Sequence, residues 1–486
     1  MGVATKRGQA RLSRAGGSWL LSAVLVGGLL SACGGGGQDS AGSVSNPTSA
    51  AASTQSTNST SVGTQTNSSA GKTPAAQTRW ATTWEAAMLQ NTLQNYTSDT
   101  ARTRIHTSAG GSGVRIRLSN IYGSQPMVLD TVNVALPDSS NTADPTAIDT
   151  TTMVPVTFNN GESFAEVMPG EELLSDPITM NVPKLSDLDV TMHFNGLAQY
   201  ADGHSDTVTP LPGLYVVRSQ NVATNSTFSG LSYETYNGAY NLSEVEVQVP
   251  EATREIIAMS ESITDGHGAV GISHPWPAVL ASLANAGNTP VAIGNAGIGG
   301  NSMFDSSGTD PSCCGVSLLD RFQRDVLSRN PTDIVILAGD NDLASHSASD
   351  IIARYQVFIQ IAHAQGIKVY GGVNTPIGNI VGTNGATIST GFYSPATEAT
   401  RDQINGWIQT PGNFDGVIDF SAVVGANPSS APLGIATACY DSVTGQPIHM
   451  DNQGYTAMGT VAYDVIFGQK VKPAAPCNSL SFPPQI

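Results

Sequence analysis

Positive charge is scarce in this sequence. Of 486 residues only 21 are Lys or Arg against 38 Asp or Glu, a formal net charge of −17. Four of those cations, Lys6, Arg7, Arg11 and Arg14, precede the first apolar run, so the remainder is more acidic still. Binding phosphate backbones needs a basic footprint, and no nucleic-acid partner is expected. The acidity reads as a solubility feature rather than as a device for a cationic substrate. Charged residues of both signs amount to only 12% of the chain, and nothing resembles a coiled coil. Cysteine is also rare, at five residues, and no spacing among them resembles a zinc site. The apolar run over residues 19–30 is too short to span a bilayer comfortably.

That run, with its basic start, is instead a signal peptide over residues 1–32. It ends in Leu30-Ser31-Ala32-Cys33, which resembles the lipobox of bacterial lipoproteins, where the cysteine sulfur receives diacylglycerol. Gly34 follows where an Asp would retain the protein at the inner membrane. The expectation is an exported protein, lipid-anchored through Cys33 to the bacterial outer membrane or cell surface. The alternative is ordinary secretion with an incidental cysteine. The other cysteines, Cys313, Cys314, Cys439 and Cys477, are even in number, and two disulfides are plausible in an oxidising compartment. Their connectivity is open, though adjacent Cys313 and Cys314 suit separate partners better than each other.

A chain this long exceeds what one hydrophobic core usually organises, so two folded domains plus unstructured segments are expected. Residues 33–78 are almost entirely Gly, Ser, Thr, Asn, Gln and Ala, without apolar periodicity, and read as a disordered tether. Over residues 79–250 the apolar period is two. Val114, Ile116 and Leu118 alternate with Arg115 and Arg117, and Leu188, Val190, Met192 and Phe194 with Asp189, Thr191 and His193. Each reads as a strand with one buried face, and glycine- and asparagine-rich turns between them point to a β-sandwich. After Pro250 strands alternate with amphipathic helices as far as residue 470, which implies a parallel sheet wrapped by helices, with its chemistry in the loops after the strands. Residues 471–486 are a tail.

Four of those loops hold informative residues. Ser260-Glu261-Ser262 follows the first strand, Gly297-Ile298-Gly299-Gly300-Asn301 the second, and Gly339-Asp340-Asn341-Asp342 the third. His449 lies just before the last helix. Alone, each has a bland reading: a helix cap, a connecting turn, or a side chain satisfying loop backbone. In order, they resemble the SGNH hydrolase (GDSL-like) family, whose name lists Ser, Gly, Asn and His. The resemblance covers residues 255–469. It implies a flavodoxin-like three-layer α/β/α domain with Ser262 as nucleophile and His449 as general base. It also implies an oxyanion hole made by the N–H groups of Ser262 and Gly300 and the amide of Asn341. The upstream region from Trp80 resembles the β-domain of a bacterial subgroup of the family.

Two departures stand out. The family's Gly-Asp-Ser is here Ser260-Glu261-Ser262, and its Asp three residues before the His is here Gln446. Asp441, in Tyr440-Asp441-Ser442, is one candidate for the acid of the triad; a backbone carbonyl orienting His449 in a Ser–His dyad is the other. His267 and His346 also lie in loops near the expected site and are read as solvated rather than as substrate contacts. The expected activity is hydrolysis of carboxylic esters, of lipid, short-chain acyl or polysaccharide acyl type, through an acyl-enzyme and without metal or cofactor. Rivals are a non-catalytic surface protein binding glycan or lipid on this fold, and an acyl transferase using the same intermediate.

Overall fold

The computed structural model describes residues 77–468 and Cys477, apart from 92–94, 206–212, 288–289, 305–313, 382–386, 427–433, 437–438 and 442–446. The signal peptide, Cys33, nearly all of the tether, most of the tail, Cys313 and Gln446 therefore lie outside the described residues.

The period of two becomes two antiparallel sheets. One has the order β1 (Thr78–Glu85), β10 (Leu242–Pro250), β3 (Gly111–Asn120) and β5 (Ile178–Val182). The other runs β7 (Asp202–Ser205), β9 (Glu234–Tyr240), β8 (Gly213–Val217), β2 (Thr100–His106), β6 (Asp187–Phe194) and β4 (Met127–Ala135). Val114, Ile116 and Leu118 of β3 share one core with Leu188, Val190 and Met192 of β6, so the apolar faces of the two sheets bury each other. The polar faces differ from the sequence expectation. Asp189, Thr191 and His193 of β6 are buried as well, because each has a partner: Arg104 bonds Asp189 at 2.8 Å, Arg102 bonds Thr191 at 2.9 Å, and His193 meets Asp130 at 2.7 Å. Paired polar groups tolerate burial that unpaired ones would not.

From Arg254 onward the sheet is parallel, while the strand pairs of the preceding two sheets are antiparallel. Its strands are β11 (Arg254–Ser260), β12 (Val291–Gly297), β13 (Asp333–Leu337), β14 (Lys368–Gly372) and β15 (Gly416–Ile418), in the spatial order β12-β11-β13-β14-β15. This is the 2-1-3-4-5 order of doubly wound flavodoxin-like sheets. Alternation along β11 divides the core. Ile256 and Ala258 face α2 (Trp276–Ala284), α6 (Phe420–Val424) and α7 (Asn452–Phe467). Ile257 and Met259 face α3 (Leu318–Asp325), α4 (Ala348–His363) and α5 (Pro395–Ile408). Helices thus cover both sides of the sheet.

Both sheet systems belong to one compact unit. β12 is an edge strand of the parallel sheet, and an open edge invites unwanted pairing. Here Ser108 accepts from the Ile293 N–H at 2.9 Å and donates to the Ile293 carbonyl at 3.1 Å. Arg329, after α3, reaches back into the first sheet, with Glu244 at 3.0 Å and Glu85 at 3.3 Å, all three buried. Burial pushes the Glu85 carboxyl up to about 8 even with this partner beside it. Removing one member of a buried charged cluster strands the others. Arg329→Ala is expected to lower the unfolding free energy by about 3 kcal/mol in urea titration; an unchanged midpoint would mean that Arg117, 2.6 Å from Glu244, suffices alone.

Candidate active site

Parallel pairing sets the geometry of the site. Ser260 ends β11 level with Gly297 on β12 and Leu337 on β13. Ser262, Gly300 and Asn341 come two, three and four residues beyond that common level, at one edge of the sheet.

Ser262 opens the single-turn helix α1 (Ser262–Asp265), where its N–H is one of the first-turn amides that no helical carbonyl satisfies. The turn fits only because Gly297 lacks a side chain: a Cβ there would come within 2.3 Å of the Asp265 nitrogen. The base arrives from the far end of the domain. Asp451 caps α7, accepting from the Gln453 and Gly454 N–H groups at 2.9 Å each, and so directs the preceding residues over the sheet edge. There His449 Nε2 lies 2.8 Å from Ser262 Oγ. Gly300 sits in an exposed turn with φ of +71°, against Cys314.

Glu261 does not cap α1 with its side chain. The carboxyl turns inward and accepts from the Gly339 N–H at 2.6 Å, the Asn341 side-chain amide at 2.9 Å and the Asn341 N–H at 3.3 Å. The Asn341 amide also donates to the Asn301 carbonyl at 2.9 Å. The longer acid that stands where the family has Asp is thus a bracket between the nucleophile turn and the Asn341 loop. Burial, with Asp342 and Asp340 adding negative charge nearby, pushes the Glu261 carboxyl well above the usual carboxylate range. Beneath the same edge, buried Arg321 donates to the carbonyls of Ser260 at 2.9 Å and Ala296 at 2.7 Å and to the Asn301 side chain at 2.9 Å. It holds the ends of β11 and β12 together.

Of the two further histidines, His267 is not solvated, while His346 is half-buried. His267 is buried, and its ring centroid lies 4.2 Å from that of His449. His346 stacks on Phe304, with centroids 3.7 Å apart and planes 7° from parallel. Asp441 is buried beside the base: its N–H donates to the His449 carbonyl at 2.9 Å, and its carboxyl packs against Gly268. Gln446 is outside the described residues. Cys439 and Cys477 form a disulfide; Cys314 is disulfide-bonded too.

Sequence reading missed Arg321, the inward turn of Glu261, and Asp265. Asp265 offered a signal: it is an acid three residues after a candidate nucleophile, at the end of a turn too short to need it as a cap. A cavity of about 180 Å³ lies beside it, lined by Trp84, His204, Pro275 and Ile293 among others; Ser262 and His449 do not line it.

Residues 261–457 match the model of the GDSL-like lipase/acylhydrolase family. This part of the chain is therefore a GDSL-like lipase/acylhydrolase domain, preceded by a β-rich region. No curated protein matches the chain. Among solved structures, a lipase/acylhydrolase from Enterococcus faecalis is similar at 17% identity, covering 43% of this chain and 94% of its own, with a TM-score of 0.32. A member of the lipolytic protein G-D-S-L family from Veillonella parvula is similar at 17%, covering 45% and 100%, with a TM-score of 0.33. An acetyl xylan esterase is similar at 24%, covering 43% and 98%, with a TM-score of 0.31.

The Glu261 bracket is testable. Glu261→Ala removes the acceptor of both Asn341 donors, and kcat on an activated ester is expected to fall by about a hundredfold with little change in KM. Steady-state kinetics beside a thermal melt would check this, and an unaltered kcat would show that Asn301 alone holds Asn341 in place.

Proposed function

We propose that this protein is an exported serine ester hydrolase, anchored by lipid at Cys33, that cleaves carboxylic esters through an acyl-enzyme. The observation that carries the reading is the 2.8 Å contact between His449 Nε2 and Ser262 Oγ. A serine hydroxyl is a weak nucleophile at neutral pH until an imidazole at this distance accepts its proton. Ser262 Oγ attacks the ester carbonyl, and its proton passes to His449. The oxyanion is held by the N–H groups of Ser262 and Gly300 and the amide of Asn341, which exchanges one internal bond for it. Collapse expels the alcohol, which takes the proton from His449. Water then attacks the acyl-enzyme with His449 again as base, releasing the carboxylic acid and restoring the serine.

Asp441 is the acid we assign to orient His449, on the strength of its burial and its place beside that residue. Export and anchoring rest on the basic start, the apolar run and Leu30-Ser31-Ala32-Cys33. The Cys439–Cys477 disulfide fits an oxidising compartment. The substrate class we favour is acyl esters of lipids or surface polysaccharides, within reach of a tethered enzyme.

The test is hydrolysis of p-nitrophenyl acetate and butyrate by the purified protein beside Ser262→Ala. Turnover that vanishes in the variant supports the reading. No turnover, with no labelling of Ser262 by a fluorophosphonate, would make the protein a surface binder of glycan or lipid. Product analysis with added glycerol separates hydrolysis from acyl transfer. Asp441→Asn is expected to lower kcat by at least about tenfold, up to about 10⁴-fold if the imidazole takes the wrong tautomer; full activity would leave a Ser–His dyad oriented by backbone.

A further inference from the structure

The turn that carries Gly299 and Gly300 is held from below by a pair of buried side chains, one of which comes from the β-sandwich region. Asp265, the last residue of α1, is buried, and its Oδ2 accepts from the Gly299 N–H at 3.1 Å. Its Oδ1 meets His204 Nε2 at 3.1 Å. His204 lies on β7 and is itself buried, with Nδ1 2.7 Å from the carbonyl oxygen of Ala87. A carbonyl oxygen can only accept, so Nδ1 carries a proton. A carboxylate oxygen can only accept, so Nε2 carries one too. By its partners, then, His204 is an imidazolium with both donors satisfied and its ring orientation fixed. Burial opposes that charge most strongly and Arg321 opposes it too, but the charge and hydrogen bond of Asp265 together with the Ala87 carbonyl hold His204 above the ordinary histidine value.

Such a pair is costly to break, since losing one member leaves the other charged, buried and uncompensated. It therefore fixes the position of whatever else it bonds. Here that is the Gly299 N–H, one residue before the Gly300 N–H, in a turn anchored at its two ends by buried Ile298 and Asn301, with exposed Gly300 between them. We propose that His204 is a positioning residue for ester hydrolysis at Ser262: through Asp265 it holds the Gly299 and Gly300 turn, and so the Gly300 N–H, where the oxyanion develops. The inference rests on the function proposed above and extends it. It gives the β-sandwich region a part in the reaction in addition to covering the edge of β12.

The experiment uses the full-length protein, p-nitrophenyl acetate, and a trifluoromethyl ketone as a mimic of the tetrahedral intermediate. His204→Met keeps the volume and removes both donors. It is expected to lower kcat by about 10- to 100-fold, as for a donor displaced by about an ångström, with KM within about twofold. Affinity for the ketone should weaken by the same factor. His204→Gln, which keeps one donor toward Asp265, should recover most of the loss. Combining His204→Met with Asp265→Ala should cost no more than Asp265→Ala alone, since the two act through one link. A cooperatively melting His204→Met protein with unchanged kcat and ketone affinity overturns the inference. So does a loss confined to melting temperature, or equal activity in the Met and Gln variants. If the wild type itself does not hydrolyse the ester, the function proposed above fails along with it. Wild-type turnover that needs Ser262 but is indifferent to His204 sinks this inference alone.

Discussion

The parallel register of β11 between β12 and β13 is the constraint on which the site depends. With Ser260 level with Gly297 and Leu337, the chain can deliver a nucleophile turn, a glycine turn and an asparagine turn to one edge only. A slip of one residue in β11 would turn its side chains to the opposite helical layer and move Ser262 off that edge. The register is held by what alternates along β11: Ile256 and Ala258 belong to one layer, Ile257 and Met259 to the other. Buried Arg321 then clamps the Ser260 carbonyl at the end of β11 and the Ala296 carbonyl near the end of β12 against that slip.

Buried polar groups carry this order from the sheet to the reacting atoms. Glu261 joins the nucleophile turn to the Asn341 loop, and Asp265 joins it to the Gly299 turn. Glu261 accepts three bonds from one loop, and Asp265 meets two groups on different segments, so the loops are set relative to the nucleophile turn rather than singly. Preorganised donors of this kind need no rearrangement as charge develops, which is where much of enzymatic rate enhancement originates. The β-sandwich region enters the same network through His204 and the interface through Arg329 and Ser108. Its buried His204, Ser108, Glu85 and Glu244 serve that contact, while Asp189, Thr191 and His193 are paired within the region itself.

The features legible in the sequence were the local ones. The switch from period two to strand–helix alternation near Pro250 placed the two sheet systems, and short-range order placed Ser262, Gly300, Asn341 and His449 after successive elements. The start of α4 is set by the Ser347–Asp350 capping box, which begins the helix at Ala348. Partners remote in sequence were not legible. His204 and Asp265 are separated by 61 positions, and Glu85 and Arg329 by 244. His267 looked solvated because the ring that covers it, His449, comes from another loop, and the Phe304 ring on one face of half-buried His346 was hidden for the same reason. The same reason hid the second buried face of β6.

The central claim is that Ser262 becomes acylated during turnover. Acid-quenching the protein while it hydrolyses p-nitrophenyl butyrate, followed by intact-mass and peptide mass spectrometry, addresses it directly. The account predicts a species heavier by one butyryl group, on the peptide containing Ser262, that accumulates when deacylation is slowed and is absent from Ser262→Ala. Turnover with the acyl group on another residue, or undiminished turnover in Ser262→Ala, would contradict it.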